Sequence, residues 1–101
     1  MIIEHVHLTI KALQNQEFEA AFDQAKQYIA AMSGFRAVQL IKNIHDEHAY
    51  ILMVIWDRLE DHTEGFRQSP EYIQWRALLH PFYNPMPTVE YYSPCISFKK
   101  T

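Results

Sequence analysis

Ala49-Tyr50-Ile51-Leu52-Met53-Val54-Ile55-Trp56 decides the fold. No residue of this run is charged, and β-branched and aromatic side chains dominate it. A strand with one face in water alternates apolar and polar residues. A strand without alternation is covered on both faces, so the run predicts a central strand. Before it lies the polar stretch His45-Asp46-Glu47-His48, and before that the extended, apolar-rich Phe35–Ile44. Together they predict a hairpin of two antiparallel strands. Further upstream, Phe18, Phe22, Ala25, Ile29 and Met32 recur at helical spacing. Asn15 is placed to cap that helix, Glu17 and Glu19 suit its first turn, and Gly34 suits its C-terminal close. Ile2–Ile10 alternates. Ile2, Glu4, Val6, Leu8 and Ile10 share one face, and Ile3, His5, His7 and Thr9 share the other, which predicts the first strand. Downstream, Asp57 with Glu60 has the form of a capping pair opening a helical piece over Leu59–Arg67. Ser69-Pro70-Glu71 restarts the helix, with serine as cap and proline in the first helical position. Tyr72, Trp75, Leu78, Leu79 and Phe82 give its apolar face, and Asn84-Pro85-Met86-Pro87 ends it. Thr88–Ser93 is the last strand and Pro94–Thr101 a tail.

The order β-α-β-β-α-β predicts an α+β, ferredoxin-like domain: a four-stranded antiparallel sheet with two helical regions on one face. The domain spans residues 1–93 and the tail 94–101. The other face of the sheet has no cover within one chain, yet the central strand is apolar on both sides. Ile3, Val38, Leu40 and the tyrosines of the last strand are expected to add to that uncovered face. An apolar sheet face of this kind predicts a partner, and a second copy of the chain is the simplest one.

Composition narrows the function. The chain has 101 residues, 49% hydrophobic and 14% aromatic, which excludes disorder and fits one domain. Nine basic against twelve acidic residues, with no basic run, excludes a nucleic-acid surface. No apolar run approaches a membrane span, and the first residues lack the basic region of a secretory leader. A single cysteine, Cys95, fits a reducing compartment, so a cytoplasmic protein is expected. With only Gly34 and Gly65 in the chain, no glycine-rich phosphate cradle can form.

Six histidines invite a metal reading. His5 and His7 share a strand face at chelating spacing, but no third ligand stands near them in sequence, so a polar patch competes with a metal site and no metal is expected. His45 and His48 belong to a hairpin tip, where solvated surface is the default. His62 precedes Phe66 by one turn, so the two share a face. It is either a hydrogen-bonded core histidine or a neutral base. Trp56, Phe66, Tyr72 and Trp75 are either packing or the walls of an aromatic cavity with phenol and indole donors at its rim. Arg67 and Arg76 are exposed helix arginines or holders of an anionic oxygen. Nucleophilic catalysis has no support: Gly-x-Ser-x-Gly is absent and Cys95 has no adjacent histidine.

Trp56-Asp57 at a strand end, then His62, then Phe66-Arg67-x-Ser69-Pro70-x-Tyr72-x-x-Trp75 resembles the antibiotic biosynthesis monooxygenase domain family, over roughly Met1 to Ser93. The resemblance implies a dimeric α+β barrel with two sheets face to face, in which C-terminal segments such as Pro94–Thr101 exchange. It also implies a cofactor-free monooxygenase acting on a small polyphenolic, quinol-type substrate. His62, Tyr72 and Trp75 would be its catalytic residues, and Trp56, Phe66 and Arg76 would contact the substrate. Two other readings stand on the same fold: a non-catalytic dimeric ligand-binding or stress-related domain, and a haem-binding or haem-degrading protein. Haem degraders of the family carry a helix histidine and a first-strand asparagine. The corresponding positions here read Trp75-Arg76 and Val6-His7.

Overall fold

The computed structural model describes residues 1–101. Its elements are β1 (Ile2–Thr9), α1 (Asn15–Ala30), β2 (Phe35–Lys42), β3 (Ala49–Trp56), a π-helix (Asp61–Phe66), α2 (Pro70–Leu79), a 3₁₀ turn (His80–Phe82) and β4 (Val89–Tyr92). The four strands form one antiparallel sheet in the order β2-β3-β1-β4. This is the ferredoxin-like arrangement expected from the element order, with β3 and β1 central.

Alternation sorts the side chains. Tyr50, Leu52, Val54 and Trp56 of β3 are buried, as are Glu4, Val6 and Leu8 of β1. They meet Phe18, Phe22, Ala25 and Ile29 of α1 and Trp75 and Leu79 of α2 in one core. Each large apolar side chain taken fully from water contributes about 1.5–3 kcal/mol, so this layer between sheet and helices dominates the stability. On the opposite face, Ile51, Met53 and Ile55 of β3 are half-buried and lie beside Ile3, His5 and His7 of β1.

Several local expectations are corrected. Val38 and Leu40 do not join the outer face. A β-bulge between Phe35 and Ala37 gives β2 one extra residue, so Phe35 and Val38 both point inward, and Val38 and Leu40 lie opposite the buried Val54 and Leu52. The two tyrosines of β4 also part company, as consecutive strand residues must. Tyr91 pairs with Glu4 on the inner face, and Tyr92 pairs with Ile3 on the outer one.

Asn15 is the first residue of α1 rather than its cap. Its amide instead donates to the Glu47 carbonyl and to Tyr50 Oη. Tyr50 in turn donates to Glu19 Oε2 at 2.6 Å, so this cluster ties α1 to the base of the hairpin. Gly34 does not close α1, which ends at Ala30; it lies in the turn into β2 with φ +83°. Asp57 does not cap the next helix, because its carboxylate pairs with Arg36. Asp61 takes the local role, accepting from the Arg58 amide at 3.0 Å. The restart at Ser69 stands as expected: Ser69 Oγ accepts from the Tyr72 amide at 3.2 Å, with Pro70 in the first turn.

The second helical region opens as a π-helix, marked by the Arg67 amide bonding the His62 carbonyl five residues back. Such wide turns often occur at functional positions. After β4, residues 94–101 form no helix or strand. They are exposed throughout, with Ile96 at 91% and Phe98 at 99% of full exposure. No helix is long and apolar enough to cross a membrane.

Candidate functional site

Glu4 and His62 are the only polar or charged residues that are buried, 4% and 3% exposed. Glu4 is inward because β1 alternates and its neighbours on that face are core residues. His62 is inward because the π-helix closes over the end of β3 and buries both His62 and Phe66. The two meet with His62 Nε2 3.5 Å from Glu4 Oε2. Trp56, fully buried at the end of β3, donates its indole Nε1–H to Glu4 Oε1 at 3.0 Å. On the far side of the imidazole, His62 Nδ1 lies 2.6 Å from Tyr91 Oη. Four side chains from three strands and one helix thus form a continuous polar line through the core: Trp56, Glu4, His62, Tyr91.

Burial sets the charge states, because a charged group in a dry interior loses its hydration. Burial raises the Glu4 carboxyl to about 7, against the opposing pull of the Trp56 hydrogen bond and the Arg67 charge. It lowers His62 to about 4, and Arg67 pushes the same way. It also raises the Tyr91 phenol. At neutral pH, therefore, the imidazole is uncharged, the phenol keeps its proton, and Glu4 is poised between its two forms. With Nε2 carrying the proton toward Glu4, Nδ1 accepts from Tyr91 O–H. The line runs from Tyr91, half-exposed at the sheet edge, to Glu4 in the interior. It is hydrogen-bonded at Tyr91–His62 and Trp56–Glu4, while the 3.5 Å His62–Glu4 contact is longer than the about 2.7–3.2 Å of an N–H···O hydrogen bond.

The residues singled out in the sequence divide around it. Trp56 and Phe66 pack with His62, their ring centroids 5.6 and 6.2 Å from the imidazole. Tyr72 and Trp75 lie beyond Phe66, at 5.2 and 5.6 Å from its ring. Trp75 is buried and also packs on Phe22 at 5.7 Å, whereas Tyr72 is half-buried. Arg76 is exposed, its guanidinium 5.8 Å from the Tyr72 ring. Three cavities open on the surface: about 740 Å³ at the hairpin tip, about 230 Å³ beside His7 and Ile51, and about 200 Å³ at the start of α1. None is lined by His62, Tyr72 or Trp75.

Glu4 and Tyr91 were not among the sequence candidates. The signal for Glu4 was present, as a carboxylate in an otherwise apolar strand row. Tyr91 acquires meaning only from the β1–β4 register.

The βαββαβ order and the antiparallel sheet β2-β3-β1-β4 place the chain in the ferredoxin-like class. Within that class, residues 1–78 match the antibiotic biosynthesis monooxygenase (ABM) family, and the chain belongs to it. It is 51% identical over 92 residues to the uncharacterised protein YczJ of Bacillus subtilis, covering 91% of this chain and 97% of the relative. A Bordetella bronchiseptica protein carrying the same family description has a solved structure with a TM-score of 0.89 and 26% identity, covering 94% of this chain and 97% of the other. SnoaB, a cofactor-independent oxygenase from Streptomyces nogalater, superposes with a TM-score of 0.86 at 13% identity, over 98% of this chain and 97% of its own.

Proposed function

We propose that this protein is a cofactor-independent monooxygenase that oxidises a small hydroxylated aromatic, of the quinol or anthrone type, with O₂. The observation that carries this reading is the buried line Tyr91–His62–Glu4, a proton path ending on a carboxyl poised near 7. Triplet O₂ reacts slowly with closed-shell organics, but an electron-rich phenolate or enolate can pass it an electron directly. The protein then has to remove a proton, stabilise the resulting oxyanion and keep water out. Tyr91 takes the substrate's hydroxyl proton as its own passes to His62 Nδ1, and the Nε2 proton moves to Glu4. The last transfer requires the 3.5 Å His62–Glu4 contact to close to hydrogen-bond length when substrate binds, as apo catalytic contacts commonly do. An anthrone enters as its enol tautomer, whose hydroxyl proton Tyr91 takes to leave the enolate that reduces O₂. The overall balance is R₂CH₂ + O₂ → R₂C=O + H₂O: one oxygen atom enters the ring carbonyl and the other leaves as water. Arg67, whose charge reaches Glu4, His62 and Tyr91, and Arg76 beside Tyr72 hold the anionic oxygen. Tyr72, half-buried at the edge of the cluster, is the donor a substrate would meet. Trp56 and Phe66 are packed around His62 with Trp75 behind Phe66, so the substrate has to open this packing to reach the line. The description of SnoaB as a cofactor-independent oxygenase supports the same reading.

The proposal includes a homodimer in the cytoplasm. The half-buried Ile51, Met53 and Ile55 face a second copy across the outer sheet. The 94–101 tail, with Ile96 and Phe98 bare, is exchanged with that copy.

One observation favours a second reading. The interior around His62 is packed, with no cavity beside it, as in a non-catalytic ligand-binding domain. An oxygen-electrode assay over hydroxylated anthrones and quinols under air separates the two. The enzyme reading expects uptake above buffer with at least one substrate, and a panel without uptake supports the non-catalytic domain.

A further inference from the structure

On the sheet face opposite the Glu4–His62 line, β1 and β4 bring together three metal-ligating side chains that are dispersed in sequence. His5 and His7 project from the same side of β1, with ring centroids 4.9 Å apart and planes at 70°. Glu90 of β4 is paired directly with His5. One donor atom from each residue falls within 4.8 Å of the others. Two donors bound tetrahedrally at about 2.1 Å from one ion stand about 3.4 Å apart, so side-chain rotations that move a donor by about 1–1.5 Å close the set, and the exposed Glu90 is free to make them. His5 Nδ1 is also shut off from solvent without a hydrogen-bond partner. A buried ring nitrogen in that state carries an uncompensated desolvation cost, and ligation through Nδ1 would relieve it.

We propose that His5, His7 and Glu90 bind one divalent transition-metal ion of the zinc class per chain. Two imidazoles and a carboxylate are the donor set that such an ion takes, and three protein ligands leave a fourth position for water. The ion clips β4 to β1. That matters for β4, which has four residues and is held at the sheet edge by β1 alone. Glu90 is adjacent to Tyr91, whose side chain points the other way to His62, so the clip fixes the strand that positions Tyr91. The site is distinct from the proposed catalytic line and stands or falls independently of it.

The test uses the full chain, free of any affinity tag and stripped with a chelator, titrated calorimetrically with Zn²⁺. One ion per chain is expected, together with a rise in melting temperature that a chelator reverses. His7→Ala and Glu90→Gln, exposed in the single chain but on the sheet face assigned to the second copy, are each expected to weaken binding by more than about tenfold and remove the thermal shift, while the metal-free proteins keep wild-type circular dichroism and sedimentation. The double variant His45→Ala/His48→Ala, at the hairpin tip, is expected to bind as wild type does. Absence of saturable binding, binding that survives either His7→Ala or Glu90→Gln, or loss of binding in the hairpin variant would overturn the proposal.

Discussion

Glu4 and His62 share one buried contact, and their titrations pull stability in opposite directions. Glu4 moves from 4.5 to about 7 on folding. Between those values only the unfolded chain gives up the proton, so the folded state loses stability as pH rises through that window. His62 moves from 6.5 to about 4. Between those values only the unfolded chain binds the proton, so stability is gained as pH rises. The windows overlap from about pH 4.5 to 6.5 and the slopes oppose. Melting temperature is therefore expected to change little across that range in the wild type. In Glu4→Gln it should climb with pH, and in His62→Gln it should fall; a Glu4→Gln profile as flat as the wild type would show that His62 is not held neutral by burial. Trp56 belongs to the same unit. Trp56→Phe keeps most of the packing but removes the donor to Glu4, at an expected cost of about 1–3 kcal/mol, and Trp56→Ala should cost about 3–5 kcal/mol, both read by chemical denaturation. At this scale the sequence was half legible. His62 and Trp56 stand out because histidine and tryptophan are conspicuous near an apolar strand end. Glu4 was visible as a lone acid in a core-facing row, but its partners are contacts across 52 residues and more, which no local pattern records.

The elements whose signals are local were readable, and those whose signals are spent on tertiary partners were not. Ser69-Pro70 caps its own helix through a bond three residues away, so its meaning is contained in the sequence. Asn15 and Asp57 have the chemistry of caps, but their side chains serve Tyr50 and Arg36 instead. The single extra residue at the β2 bulge reversed the assignment of Val38 and Leu40, because a one-residue shift exchanges the faces of a strand. The π-helix shares the apolar spacing of an ordinary helix and differs only in its hydrogen bonding. Its placement depends on the turn before β2. Gly34 has φ +83°, and a Cβ there would overlap the Asp61 carboxylate that anchors the start of the π-helix. Gly34→Ala is expected to cost about 1–2 kcal/mol from the backbone alone and more from displacing Asp61. Adding Asp61→Ala should recover only the second part, and a Gly34→Ala protein with wild-type stability would contradict this placement of the turn.

For the molecule as a whole, the order and packing of strands and helices were legible because the uncharged β3 run admits only a covered central strand. The uncovered sheet face follows from the same reasoning, although with fewer apolar residues than the sequence suggested, since Val38, Leu40 and Tyr91 turn inward. The dimer proposed for that face should bury more than about 2,000 Å² in total. Sedimentation at micromolar concentration is expected to give one dimeric species, and Met53→Glu, at the centre of the face, should shift it to monomer. A wild-type monomer that stays folded would remove the dimer from this account. The central claim is that the Tyr91–His62–Glu4 line moves a substrate proton during oxygenation. Its most direct test is the rate of O₂ uptake by His62→Gln at pH 7 with a substrate the wild type oxidises, measured beside the variant's melting curve. The account predicts a rate lower by about 10²–10⁴-fold in a protein that melts within a few degrees of the wild type. Uptake at the wild-type rate in a variant that melts far earlier would contradict it and assign His62 to packing alone.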